Sequence, residues 1–311
     1  MVLPSGWAQR LRVPVVAAPM TGVSGPDLVV AACTHGVVGT FPTHNASSPQ
    51  VLDSWLAQMT EGIAAGTPTG AQAAPLGANL VVHRTNARLH SDLAAVVRAG
   101  VELVVASVGS PREVVGPLHD AGVLVWSDVA SLRHAELAIA AGVDGLVLLT
   151  AGAGGQTGWA NPISFVRAVR DRFDGTLVLA GGVSDGEGVF AAQVLGADLA
   201  YLGTSFIATE ESLAAPDYKA AVVAATLDDV TTSTQVSGLA ANVLSSWLAD
   251  QGADAGGGFA QDRLLGQGAV WAAGHSVSGT DEVVAVAKLV DRLVRDHQHA
   301  RSFPDPSTRR Q

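Results

Sequence analysis

The sequence predicts an α/β fold of the (β/α)8 TIM-barrel type, and two observations predict it: a punctuation mark that recurs along the chain, and a composition suited to parallel strands. The mark is a helical stretch, then a glycine, then a short Val-rich run. It falls at Gly36, Gly100, Gly122 and Gly142, with variants at Gly66, Gly175 and Gly196. Each glycine stands where a helix calls for a left-handed closing residue. The marks recur every 20 to 34 residues, the length of one helix–loop–strand unit. Hydrophobic residues make up 48% of the chain but aromatics only 5%, which suits Val-rich parallel strands under Ala-rich helices. At 311 residues the chain is long for one domain, yet α/β barrels run to about 250 residues as one unit.

Eight strand-sized runs follow in order: Val13–Ala18, Val37–Thr40, Leu76–Val82, Glu102–Ala106, Val123–Ser127, Gly145–Leu149, Leu177–Ala180 and Leu199–Leu202. Eight strands alternating with helices point to a closed barrel over 1–208, with an open doubly wound sheet as the alternative. Helix starts support the intervening elements. Ser24 with Asp27 reads as a cap and an acidic first turn, while Ser48-Pro49 and Ser110-Pro111 read as a cap followed by proline at the first helical position. Over 209–275 no βα unit stands out, and a Gly-rich loop, Gly256 to Gly258, interrupts helical stretches. This segment reads as a small helical insertion or lid over the barrel mouth. Within 276–311, apolar residues at helical spacing over Asp281–His297 predict a final amphipathic helix returning to the barrel, followed by a disordered tail from Arg301.

The net charge of −10, with no Lys/Arg-rich block, argues against nucleic-acid partners. A single cysteine, Cys33, excludes an internal disulfide and any multi-Cys metal site; it lies in an apolar stretch and reads as core. Residues 1–12 lack the pattern of a secretory signal, and the apolar runs fall short of the ~20 residues that cross a bilayer. The expected placement is cytoplasmic, with no membrane partner, no metal, and an open oligomeric state.

The candidate site follows from the barrel. Active sites in such folds lie at the C-terminal ends of the strands, with phosphate bound after strands seven and eight. Here strand seven leads into Gly181 and Gly182, and strand eight into Gly203, Thr204 and Ser205, each before a helix whose first N–H groups would donate to an anion. Strand one ends in Ala18-Pro19-Met20, which would lay backbone and a thioether along a flat ring; a turn with a packed methionine is the alternative. Asn79, on the opposite strand face from Leu80, is expected inside the barrel, where a heterocycle would supply partners for its amide. His83 closes that strand and would either reach substrate or stand solvated. Strand six leads into TAGAGGQTGW, whose glycines imply close approach to a ligand. That loop presents Gln156, which donates and accepts hydrogen bonds but cannot act as a base near neutral pH. Trp159 would either cover the pocket or pack.

Together these motifs resemble the nitronate monooxygenase family, formerly called 2-nitropropane dioxygenases. The resemblance runs over nearly the whole chain: VPVVAAPMTGVSGPDLVVAA, GANLVVH, AGAGGQTG, LAGGVSDG, LGADLAYLGTSFIATEES and WAAGHSVSG. It implies a flavoprotein oxidoreductase that holds FMN non-covalently in a TIM-type barrel, with contacts at Ala18, Pro19, Met20, Asn79, Ala151, Gly181, Gly182, Gly203 and Thr204. The family reads GGH in the strand-six loop, where the histidine removes the proton beside the nitro group; this chain has Gly154-Gly155-Gln156. Nitronates have already lost that proton, so oxidation of alkyl nitronates with O2 is the expected activity, with Gln156 and His83 orienting the small-molecule substrate. The superfamily also contains flavin-dependent reductases that use NAD(P)H on enoyl thioesters or quinones, in which Gln156 would hydrogen-bond a carbonyl. A flavin-binding protein without turnover is the third reading.

Overall fold

Eight parallel strands close on themselves in the computed structural model, which describes residues 2–236, 238–250 and 270–302. They are β1 (Val15–Ala17), β2 (Val38–Pro42), β3 (Leu76–Val81), β4 (Leu103–Ser107), β5 (Leu124–Val129), β6 (Gly145–Leu149), β8 (Thr176–Ala180) and β9 (Leu199–Leu202). Closure is made by β9 beside β1, with Val15 opposite Ala200 and Ala17 opposite Leu202. The barrel expected from the sequence is therefore present, and the doubly wound alternative is not. No helix among the described residues is long and apolar enough to cross a membrane.

Side chains alternate across each strand with period two. Val15, Ala17, Ala78, Leu80, Val104 and Leu146 point outward and pack with the helices in one apolar shell. Val16, Val38, Leu103, Val105, Trp126, Val147, Val178 and Leu199 point inward and fill the interior. Trp7, from the short helix α1 (Trp7–Arg10), joins this interior with its ring 5.6 Å from that of Trp126. The same alternation puts small or polar residues on inward positions near the C-terminal ends of several strands: Ala18, Asn79, Ser107, Asp128 and Ala180. Together with the larger Val81, Leu149 and Tyr201 they line a cavity at that end of the barrel.

Several helix ends match the sequence signals. Ser48 caps α3 (Pro49–Gly66) by accepting the Val51 N–H, and Gly142 and Gly196 close α6 (Leu132–Ala141) and α8 (Gly186–Leu195) at φ 89° and 112°. Others differ. Gly66 is the last residue of α3 rather than its left-handed terminator; a Cβ there would sit 2.7 Å from Thr34 Cγ2. Helix α2 (Pro26–Thr34) is capped by Gly25, because the Ser24 hydroxyl is engaged elsewhere, donating to Ala18 O and accepting the Met20 N–H. Helix α5 (Arg112–Asp120) starts after Pro111 rather than at it.

The insertion contains the expected helices, α10 (Pro216–Ala224) and α11 (Ser245–Asp250), and also strands β10 (Val230–Ser233) and β11 (Ala241–Leu244). These pair antiparallel in the order β10-β11-β7, where β7 is only Gly155–Gln156 of the strand-six loop. Tyr218, stacked on Trp271 at 5.5 Å, anchors a separate apolar cluster with Val23, Ile207, Leu244 and Val277. The Gly256 to Gly258 loop and the tail beyond residue 302 lie outside the described residues. The final helix runs Val286–Arg301, later than the expected Asp281–His297, since Ala285 is its extended N-terminal flank. It packs so closely on α8 that a Cβ on Gly186 would collide with backbone at Leu293 and His297.

Candidate active site

A cavity of about 240 Å³ opens at the C-terminal ends of the strands, bounded by the barrel below and the insertion above. Its floor and walls include Ala18, Pro19, Met20, Asn79, Gly181, Gly182, Gly203, Thr204 and Gln156, so the structure brings most of the sequence-derived residues to one place. Val23, Ile207, Tyr218, Val236, Val270 and Ala272 add an apolar face.

The turn after β1 is held from the next loop. Asn45 accepts the Gly22 N–H at 2.9 Å and donates to Met20 O and Ser24 O, which fixes Met20 at the cavity wall. Asn79 is buried and donates to Val105 O at 3.0 Å and Ser107 Oγ at 2.5 Å. Ser107 Oγ in turn donates to Asp128 Oδ2. This polar chain crosses β3, β4 and β5 at the cavity floor. Burial pushes the Asp128 carboxyl up to about 6, against the lowering effect of the Ser107 hydrogen bond. Tyr201, on β9, is raised well above the usual phenol range by burial and by the Asp128 charge nearby. Asp128 Oδ1 and Tyr201 OH are buried without a hydrogen-bond partner among the described residues. Next to the floor, Val108 sits at φ 60°, a strained conformation for a β-branched residue and one that clusters at functional sites.

His44, from the turn after β2, also lines the cavity. Its Nε2 is 3.0 Å from Thr21 Oγ1, and burial together with the Arg88 charge lowers its pKa to about 4. The imidazole is therefore neutral at physiological pH.

The loops after β8 and β9 differ in what they offer. Gly182 has φ +75° and a Cβ built there would meet nothing within 4 Å, so the backbone is bare to the cavity. Gly181, at φ +119°, is instead packed: a Cβ would lie 2.5 Å from Thr150 Oγ1 and 2.6 Å from Ala153 N. The expectation that the first N–H groups of the next helix serve an anion needs correction for α8. Its own N-cap, Asp185, accepts the Gly188 N–H at 2.7 Å and places a carboxylate there. The backbone around Gly182 and the Gly203-Thr204 turn are what remain for a phosphate. Thr204 Oγ1 accepts the Gly274 N–H at 3.0 Å, which leaves its own hydroxyl proton to donate.

Three expected residues stand elsewhere. His83 does not line the cavity; it is half-buried in the turn after β3, its Nδ1 2.7 Å from Thr85 Oγ1. Ala151 is turned away, its N–H donating to Ala160 O and its carbonyl accepting from Asn242. Trp159 neither covers the pocket nor packs, being 83% exposed. Conversely, sequence reading passed over Asp128, Tyr201, His44 and Ser107. Strand alternation signals the first two and Ser107, since each is a polar residue on an inward position near a strand end. No comparable signal marks His44.

The nitronate monooxygenase family model matches residues 74–254. The (3aS,4S,5R,7aS)-5-hydroxy-7a-methyl-1-oxo-octahydro-1H-indene-4-carboxyl-CoA dehydrogenase of Rhodococcus jostii is 30% identical over 76% of this chain. The chain spans 63% of that relative's length and 64% of its Mycobacterium tuberculosis counterpart's. A nitronate monooxygenase of Paraburkholderia phytofirmans is 26% identical over 78% of this chain and 76% of its own. Among solved structures, nitroalkane oxidase from Streptomyces ansochromogenes superposes with a TM-score of 0.81 at 23% identity, over 96% of this chain and 99% of that one. FabK from Thermotoga maritima gives 0.79 at 22% identity, over 94% of each chain.

Proposed function

This chain belongs to the nitronate monooxygenase family, and from that premise we propose that it is an FMN-dependent oxidoreductase that oxidises alkyl nitronates with O2. The observation that carries the cofactor is the cradle at Gly182, where bare left-handed backbone faces the cavity and a Cβ would occupy the space. Backbone that a ligand must approach closely calls for glycine, which suits a phosphate there, and Thr204 lines the same cavity. The remaining cavity, lined by Ala18, Pro19, Met20 and Asn79, suits a heteroaromatic ring. FMN would supply electron transfer between the organic substrate and the acceptor.

The chain's own groups bind and orient. Asn79 is itself oriented by Val105 O and Ser107, so its carbonyl oxygen is the group left to accept from a ring N–H. Gln156 reaches the cavity from β7 and offers an amide to substrate oxygen. An amide takes no proton near neutral pH, so a substrate already ionised at carbon suits this site better than a neutral nitroalkane. The neutral imidazole of His44 adds a hydrogen-bonding group without a charge. Tyr218 and the apolar wall of the insertion exclude water from the same space.

A second reading, reduction of an enoyl thioester or quinone by NAD(P)H through the same flavin, is supported by that apolar wall and by the dehydrogenase relatives, whose named substrate is a CoA thioester. Two measurements test the main reading. Chromophore released by heat should have the mass of FMN; FAD, or no flavin after reconstitution with FMN, sinks the cofactor assignment. Oxygen uptake with preformed propyl nitronate, scaled to FMN content, should be rapid, and its absence sinks the monooxygenase reading.

A further inference from the structure

Asn242 is fully buried on β11 in the insertion, far in sequence from the loop it touches. Its Nδ2 donates to Ala153 O at 2.7 Å and Ala151 O at 3.0 Å, and lies 3.3 Å from Thr157 Oγ1. Its Oδ1 accepts from Thr232 Oγ1 at 2.5 Å. Two carbonyls face the nitrogen end and a hydroxyl faces the oxygen end, so only one orientation of the amide satisfies the surroundings. The backbone repeats the attachment: Asn242 pairs with Gly155, Ala241 pairs with Gln156, and the Thr157 N–H donates to Ala240 O.

These contacts bracket Gln156 on both sides. The loop that carries it, AGAGGQTG, is half glycine and loses much conformational freedom on ordering. A two-residue strand such as β7 is too short to hold that order by its ladder alone. A single buried amide bonded both before and after Gln156 supplies what the ladder lacks. We propose that Asn242 is a positioning residue for the reaction: it pins the strand-six loop so that Gln156 is presented to the substrate. The insertion is then part of the working site rather than only its cover. This rests on the reading of Gln156 as the substrate-orienting group.

The test uses the FMN-loaded full chain. Asn242→Asp keeps size but replaces the donors with acceptors facing two carbonyls; Asn242→Ala removes the clamp without that repulsion and serves if the first variant fails to fold. Amide hydrogen exchange over residues 151–158 should accelerate at least tenfold in either variant, while exchange in the barrel strands is unchanged. Unchanged loop exchange overturns the proposal. A double-mutant cycle with Gln156→Ala, read as kcat/KM for propyl nitronate, then asks what the clamp acts through. Displacing a positioned group by about 1 Å costs on the order of 100-fold, so Asn242→Ala should approach the loss caused by Gln156→Ala, and the double variant should be no worse than the worse single. Multiplying losses overturns the proposal, because Asn242 would then act through something other than Gln156. A Gln156→Ala variant with full kcat/KM in a protein whose loop is released by Asn242→Ala overturns instead the Gln156 reading on which the proposal stands.

Discussion

Replacing Gly182 with alanine separates phosphate binding from folding, because the structure gives its two effects different sizes. At φ +75° an alanine carries a left-handed penalty of roughly 1–2 kcal/mol. Loss of glycine's freedom in the unfolded chain returns about 0.4–1 kcal/mol of that. The new methyl meets nothing within 4 Å in the empty cradle, so no steric cost is added there. The apoprotein should therefore lose about 1 kcal/mol and stay folded. In the loaded protein the methyl stands where the phosphate is proposed to sit. Displacing one hydrogen bond to that charged group costs about 1.5–3 kcal/mol, or roughly 10- to 100-fold in affinity. The assay is titration of apoprotein with FMN by quenching of flavin fluorescence, with riboflavin, which lacks the phosphate, in parallel. FMN binding should weaken by that factor and riboflavin binding by less than about threefold. Equal weakening of both ligands, or of neither, would show that the phosphate does not lie on Gly182. Gly181→Ala gives the contrast: its Cβ would strike Thr150 and Ala153, so both ligands should weaken together with stability.

Wild type should consume propyl nitronate far faster than nitropropane, and Gln156→His should narrow the gap by restoring a base with an unperturbed pKa of about 6.5; oxygen uptake per FMN measures it, and an unchanged gap would refute the role given to this position. Asp128, raised from 3.8 to about 6, binds more protons folded than unfolded between those values, so its contribution to stability is full below pH 3.8 and is lost as pH rises through 6. Asp128→Asn keeps an acceptor for Ser107 and lacks the titration, so in urea unfolding of the apoprotein the variant should gain up to about 3 kcal/mol on wild type between pH 4 and pH 7. A pH-independent difference would refute this. Val108→Ala reduces β-branching at φ 60° and should leave the apoprotein within about 1 kcal/mol of wild type despite losing two methyl groups at the cavity, as judged by the same unfolding curves.

The barrel was legible because period-two alternation and helix-closing glycines are local signals, and both survive packing. Gly145–Leu149 and Leu199–Leu202 fall where the sequence places them. Asn79 could be placed inside for the same reason, by its phase against Leu80. What the sequence could not show depends on contacts between distant segments. The pairing of β11 with β7 joins Ala241 to Gln156 from distant parts of the chain, and the two residues of β7 are too few to read as a strand. Ala151 carries a motif glycine-loop position, yet its polar atoms are claimed by Ala160 and Asn242. His83 looked available at a strand end, but its turn directs it to Thr85 rather than to the cavity. His44 reaches the site from a loop with no repeating pattern to flag it.

The most direct test of the proposed activity is anaerobic reduction of the flavin in the purified protein by propyl nitronate, NADH and NADPH, each in a separate cuvette. Rapid bleaching of the flavin band by nitronate, with slow or no bleaching by either pyridine nucleotide, is the predicted result. Rapid bleaching by NADH or NADPH with none by nitronate would contradict the monooxygenase account and install the reductase in its place; bleaching by none of the three would leave a flavin-binding protein without this chemistry.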